Sequence, residues 1–129
     1  MDYTIQLVED RKLIIATAMG DWEQEADNAM VRQIMDAIGT SGLDRVLVDI
    51  RELKLNIPLV QIFERAKELR EQRRQADVSS AKAAVVYPPN DPKLEADFNF
   101  FENAARNRGL PYRAFNNMED AMDWLMEEA

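Results

Sequence analysis

Apolar and polar residues alternate along 3–8 (YTIQLV) and 11–18 (RKLIIATA), the period of two that predicts a pair of β-strands. Glu9-Asp10 between them marks a hairpin, although Glu-Asp is a poor pair for a tight type I′ turn. The period then lengthens to that of a helix. Trp22, Ala26, Ala29, Met30, Ile34, Ala37 and Ile38 recur on one helical face, with Asp21 and Gln24 spaced as a capping box and Gly39 as the stop. Residues 45–50 (RVLVDI) form a short strand of the fully buried kind.

Pro58 suits the first turn of a second helix, with Asn56 or Ile57 at its cap. Leu59, Ile62, Phe63, Ala66 and Leu69 make its inner face, and "QADVSS" breaks it. Residues 81–87 (AKAAVVY) are a further strand closed by "PPND". Asp91 caps and Pro92 opens a third helix, striped by Leu94, Phe98, Phe101 and Ala105 and ended by Gly109. A last strand at 111–115 (PYRAF) precedes an Asn-capped helix in "NNMEDAMDWLMEEA", with Met118, Ala121, Met122 and Leu125 inward. The order β-β-α-β-α-β-α-β-α predicts an α/β fold: a mixed, mostly parallel sheet with right-handed crossovers and helices on both faces, in one domain over 1–129.

Composition narrows the chemistry. The chain has no Cys, which excludes disulfides, thiolate catalysis and Cys-based zinc sites, and no His, the commonest general base and transition-metal ligand. Sixteen basic residues against 24 acidic ones give a net charge of −8, a field that repels nucleic acid and anionic lipid. No apolar run approaches the roughly 20 residues of a membrane helix. "MDYTIQLVEDRK" lacks the pattern of a secretory signal, so the expected location is the cytoplasm.

Three features together resemble the STAS superfamily (sulfate transporter and anti-sigma-factor antagonist), in particular its small stand-alone bacterial members. A hairpin precedes the first helix, the central strand ends in Asp within "RVLVDIRELKL", and the chain closes on "AFNNMEDAMDWLMEEA", similar to the family's F-x-x-x-E-x-A-x-x-W-L helix. The resemblance implies a regulatory, protein-interacting or ligand-sensing domain and no catalyst. Antagonist members carry a phosphorylatable Ser or Thr at the start of the helix after the central strand. Here that junction reads Lys54-Leu55-Asn56-Ile57-Pro58, without a hydroxyl, and the next serines along the chain, Ser79 and Ser80, precede the next strand. The phosphosite is not transferred.

Several constellations carry candidate chemistry. Asp21, Asp49, Glu52 and Asp91 fall near the carboxyl ends of the strands, where oxygen ligands could gather a hard cation, but capping and pairing with Arg51 or Lys54 explain them more simply. The same crevice could hold an anion or nucleotide on helix N-termini, with Arg51 and Lys54 adding charge; no Walker or G-x-G-x-x-G motif is present. Residues 64–74 (ERAKELREQRR) hold five basic and three acidic residues, a solvated helix end or a docking surface for an acidic partner. Phe100 and Trp124 fall off their helices' apolar stripes and are candidates for an interface. Seven Met and five Phe would permit an apolar pocket of the kind lipid-binding CRAL-TRIO domains hold, although close packing is the default.

The resulting expectation is a non-enzymatic regulatory domain that contacts a protein partner or a second copy of itself, without nucleic acid, membrane insertion or cofactor. Its surface would join Arg51, Lys54 and Asn56 to an exposed basic face of the next helix, Arg65, Arg70, Arg73 and Arg74, with Phe100 and Trp124 as aromatic contacts. The alternative is a sensor of a small ligand (anion, nucleotide or lipid) in the crevice at the strand ends.

Overall fold

The computed structural model describes residues 1–56, 59–77 and 81–127, without the side chains of 59, 60, 62, 63 and 66. Five strands form one sheet in the order β1-β2-β3-β4-β5: β1 (Asp2–Val8), β2 (Leu13–Asp21), β3 (Arg45–Lys54), β4 (Lys82–Val86) and β5 (Tyr112–Phe115). β1 runs antiparallel to β2, and every other pairing is parallel. The helices are α1 (Gln24–Ser41), α2 (Leu59–Gln75), α3 (Pro92–Asn107) and α4 (Met118–Met126). The α/β, mostly parallel architecture is the expected one.

Strand order and chain order coincide, so all three crossovers advance in the same direction. Right-handed crossovers that never reverse place their helices on one face of the sheet. Accordingly Met30 and Ile34 of α1 and Phe101, Ala104 and Ala105 of α3 share a core with Ile14, Val46, Ala83, Val85 and Tyr112, and Leu69 of α2 packs against it. The other face is covered by α4, whose Ala121 and Leu125 are fully buried on Leu13, Leu47, Ala84 and Val86. β4 feeds both cores alternately, which explains its unbroken apolar run.

Local chemistry corrects several boundaries. The hairpin does not turn on Glu9-Asp10 alone: residues 9–11 make a 3₁₀ turn that Lys12 closes with a left-handed backbone, so β2 begins two residues later than expected. Asp21 is not the cap of α1, because it is the last residue of β2 and pairs with Lys54. Glu23 holds that position without a side-chain cap, and Trp22 Nε1 instead donates to Asp27 at 3.1 Å. Gly39 does not stop α1. A glycine tolerates a right-handed turn, and the left-handed exit is required only at Gly42 (φ 76°), whose N–H bonds to the Ile38 carbonyl.

The largest correction concerns β3, which runs past Ile50 to Lys54. Between Thr17↔Asp49 and Met19↔Glu52 the partner advances two residues while β3 advances three. This bulge turns Ile50 and Leu53, three apart, onto the same buried face. Residues 49–54 (DIRELK) are therefore strand. The caps of the later helices are as expected: Asp91 accepts from the backbone N–H groups of Lys93 and Leu94, and Asn117 from that of Asp120. The Pro58 junction and the Ser79–Ser80 loop lie outside the described residues.

Two substitutions test this account by urea denaturation. Leu125→Ala should cost about 3 kcal/mol, because it leaves a cavity under the one helix covering its face. Asp91→Ala should cost about 1 kcal/mol through loss of the α3 cap.

Candidate functional site

The bulge in β3 sets the geometry of its exposed end. Asp49 and Arg51, two apart, project on one side of the strand before the parity changes. Arg51 grips Asp49 with two parallel bonds of 2.9 Å, Nε to Oδ1 and Nη2 to Oδ2, and its backbone N–H donates to the same carboxylate at 3.2 Å. These bonds hold the Asp49 carboxyl below its ordinary range against the opposing effect of partial burial. The Asp that closes the apolar run is thus engaged by its neighbour and pins the bulge. Beyond it, Lys54 and Asn56 are exposed and, with Asp21, Trp22 and Gln61, line a shallow open depression.

Because the strand order never reverses, this edge has no topological switch point, the feature that opens a deep crevice in other α/β sheets. Nor do the carboxylates converge. Asp91 caps α3, Asp49 holds Arg51, and among the described residues no three His, Cys, Asp or Glu side chains are placed to share a metal ion.

The arginines of α2 do not form one exposed face. Arg65 is largely covered, with its Nε 3.3 Å from Asp27, its Nη1 bonded to Asn28 and Glu68, and its Nη2 buried without a partner. Arg73 is 8% exposed, and its Nη1 donates to the Ala81 carbonyl at 2.8 Å. Burial lowers its proton affinity. Neither is a steering charge on the surface, which corrects the sequence expectation: they lie on the inner side of α2, four-residue spacing apart from Leu69, and line the space between α2 and the sheet. Arg70 and Arg74 are exposed, Arg74 pairing with Glu71.

Topology also separates the proposed surface into two. α2 leaves the carboxyl edge of the sheet and delivers the chain to the amino end of β4, and its helical rise carries Arg74 roughly 22 Å from Leu59. Arg51, Lys54 and Asn56 therefore occupy one edge of the molecule, and Arg70 and Arg74 the other. Phe100 is exposed on α3. Trp124 is half-buried on α4, with Phe115 at 6.0 Å and the Lys82 ammonium 4.3 Å from its ring, while Lys82 Nζ also donates to its carbonyl.

No family model and no curated protein matches this chain. Solved structures do match it. The anti-sigma factor antagonist SpoIIAA in its unphosphorylated form aligns over 98% of this chain and 100% of its own, with TM-score 0.60 and 12% identity. An anti-sigma factor antagonist from Mycobacterium paratuberculosis aligns over 98% and 96%, with TM-score 0.58 and 11% identity. The Bacillus cell fate determinant SpoIIAA in the phosphorylated form aligns over 95% and 98%, with TM-score 0.53 and 12% identity.

The chain has a STAS-like fold. At these identities the likeness is one of architecture, and it spans the whole length. The hairpin, the central strand, which carries Asp49 but runs on to Lys54, and the closing Trp-bearing helix, on which the resemblance rested, are scaffold elements and not chemistry.

The Asp49–Arg51 pair has a definite pH dependence. A carboxylate whose folded pKa lies below its unfolded value stabilises the fold fully above the ordinary value of 3.8, and that contribution is lost as pH falls through the depressed one. Arg51 is 43% exposed, so solvent screens the pair. Asp49→Asn should cost less than about 1 kcal/mol at pH 7 and nothing once the pH falls below both values, as read by paired urea titrations.

Proposed function

We propose that this protein is a non-enzymatic regulatory domain of the cytoplasm that acts by contact with another protein. What carries the reading is the whole-chain likeness to structures of anti-sigma factor antagonists, proteins named for opposing another protein. The absence of imidazole and thiol from the sequence supports it, since the usual bases and nucleophiles are missing. No helix among the described residues is long and apolar enough to cross a membrane. A switch through phosphorylation at the start of α2 is not part of the proposal, because residues 54–58 contain no hydroxyl.

The docking charges in this reading are those the fold leaves in water. Lys54 stands at the carboxyl edge and Arg70 on the outer side of α2, and neither is held in an ion pair among the described residues. Each would steer an acidic surface, and their separation lets experiment tell which edge docks. Self-association belongs to the same reading, with Phe100 as the exposed aromatic contact.

The test uses the purified chain as bait in native extract, beside Lys54→Glu and Arg70→Glu. A protein retained in stoichiometric amount by wild type should be lost, about tenfold or more, from one of the two variants while the thermal melting curve is unchanged. Retention unaffected by both reversals would overturn the charge-steered reading. Light scattering at micromolar concentration reads self-association: a dimer gives twice the chain mass of 14.9 kDa, and Phe100→Glu should return it to the monomer.

A further inference from the structure

Between the sheet and helices α1, α2 and α3 lies a cavity of about 230 Å³. Its walls are apolar, with Met30 and Ile34 from α1, Val46 and Val85 from the sheet, and Phe98 and Phe101 from α3. Into this lining α2 presents Arg73, whose guanidinium has one hydrogen bond, to a backbone carbonyl, and among the described residues no carboxylate beside it. Tyr112, 7% exposed, lines the same space, and its hydroxyl has no hydrogen-bond partner among the described residues. Arg73 lies in the last turn of α2 and Tyr112 opens β5, so both belong to the amino edge of the sheet, and they lie close enough for each charge to influence the other's titration.

The carboxylates that line the cavity are already engaged. Asp27 and Glu68 hold Arg65, Glu64 lies 3.8 Å from Lys67, and Asp97 pairs with Lys93. A guanidinium withdrawn from water without a counter-charge is costly, and a carboxylate brought to it offsets that cost through paired, charge-assisted hydrogen bonds. The rest of the lining offers hydrocarbon. Arg65 also lines this space but is paired with Asp27 and Glu68, so the combination of one buried cation without a carboxylate, one free hydroxyl and apolar walls is complementary to an amphipathic anion.

We propose that this cavity binds an apolar monocarboxylate, its carboxylate on Arg73 and Tyr112 and its hydrocarbon body along Val46, Val85, Phe98 and Phe101. Since a dry cavity of about 150 Å³ takes benzene, by proportion this one takes roughly nine non-hydrogen atoms, the size class of octanoate. The cavity lies beneath the helices and shares Trp22 and Gln61 with the strand-end depression, while the docking charges of the preceding reading, Lys54 and Arg70, are not in its lining.

Calorimetric titration of the whole chain with octanoate, 1-octanol and acetate tests it. Octanoate should bind at least tenfold tighter than either control, since octanol lacks the charge and acetate the body. Arg73→Met, which keeps an apolar stem and removes the buried charge, should abolish that preference while still binding octanol. Tyr112→Phe should weaken octanoate several-fold and leave octanol unchanged, a comparison that stands even if Arg73→Met does not fold. No octanoate binding up to millimolar concentration, equal affinity for octanoate and octanol, or a preference for octanoate that survives both substitutions would overturn the proposal.

Discussion

The handedness of the crossover connections governs this molecule. Each parallel step from β2 to β5 moves to the next neighbour in the same direction, and a right-handed crossover then leaves its helix on the same face every time. Three helices share one face, and the opposite face would be bare but for α4. A nine-residue helix covers it because β3 and β4 offer it compact side chains, Leu47, Ala84 and Val86, into which Ala121 and Leu125 fit without exposure. The same monotonic order removes the switch point at which α/β sheets usually open a ligand crevice. Space for a ligand lies instead beneath the three-helix face.

Charge follows the same division. The chain is strongly acidic, yet two arginines of α2 face inward. Arg65 ties α2 to α1 through Asp27 and Asn28, a directional clasp in the lining of the cavity. Arg73 has no such counterpart, and burying it without a carboxylate is costly. Between and around them, Lys67, Arg70 and Arg74 stay in water, Lys67 pairing with Glu64 and Arg74 with Glu71 at helical spacing, interactions of little energetic consequence. One helix therefore carries an inner and an outer set of cations with different physical roles.

Fold class was legible because it depends on periodicities that local sequence must obey. The hairpin, the alternation of strands with helices, the Asp91 and Asn117 caps and the inward face of α4 all follow from side-chain spacing and from backbone N–H groups that need acceptors. Where the reading failed around β3, a non-local hydrogen-bond partner had changed the rule. β3 looked finished at Ile50 because Leu53 falls three positions on and breaks a period of two; pairing with β2 absorbs the extra residue in a bulge. Asp21 looked like a cap because nothing in its neighbourhood shows that Lys54 claims its backbone.

The candidate surface shows the limit most directly. The run of basic residues in α2 determines that cations recur along a helix, and spacing by four already groups Arg65, Leu69 and Arg73 on one side. The inner face was legible from its apolar residues, Leu69 among them, but the burial of Arg65 and Arg73 beside Leu69 was not, because Arg is almost always outside and what surrounds these two depends on Ala81, Asp27 and Tyr112, residues brought near only by the crossovers. By itself the sequence determined the order and kind of the elements and the chemistry the chain lacks. Tertiary structure alone decided which charges remain in water and which end up within the cavity, since burial is a property of contacts between residues far apart along the chain.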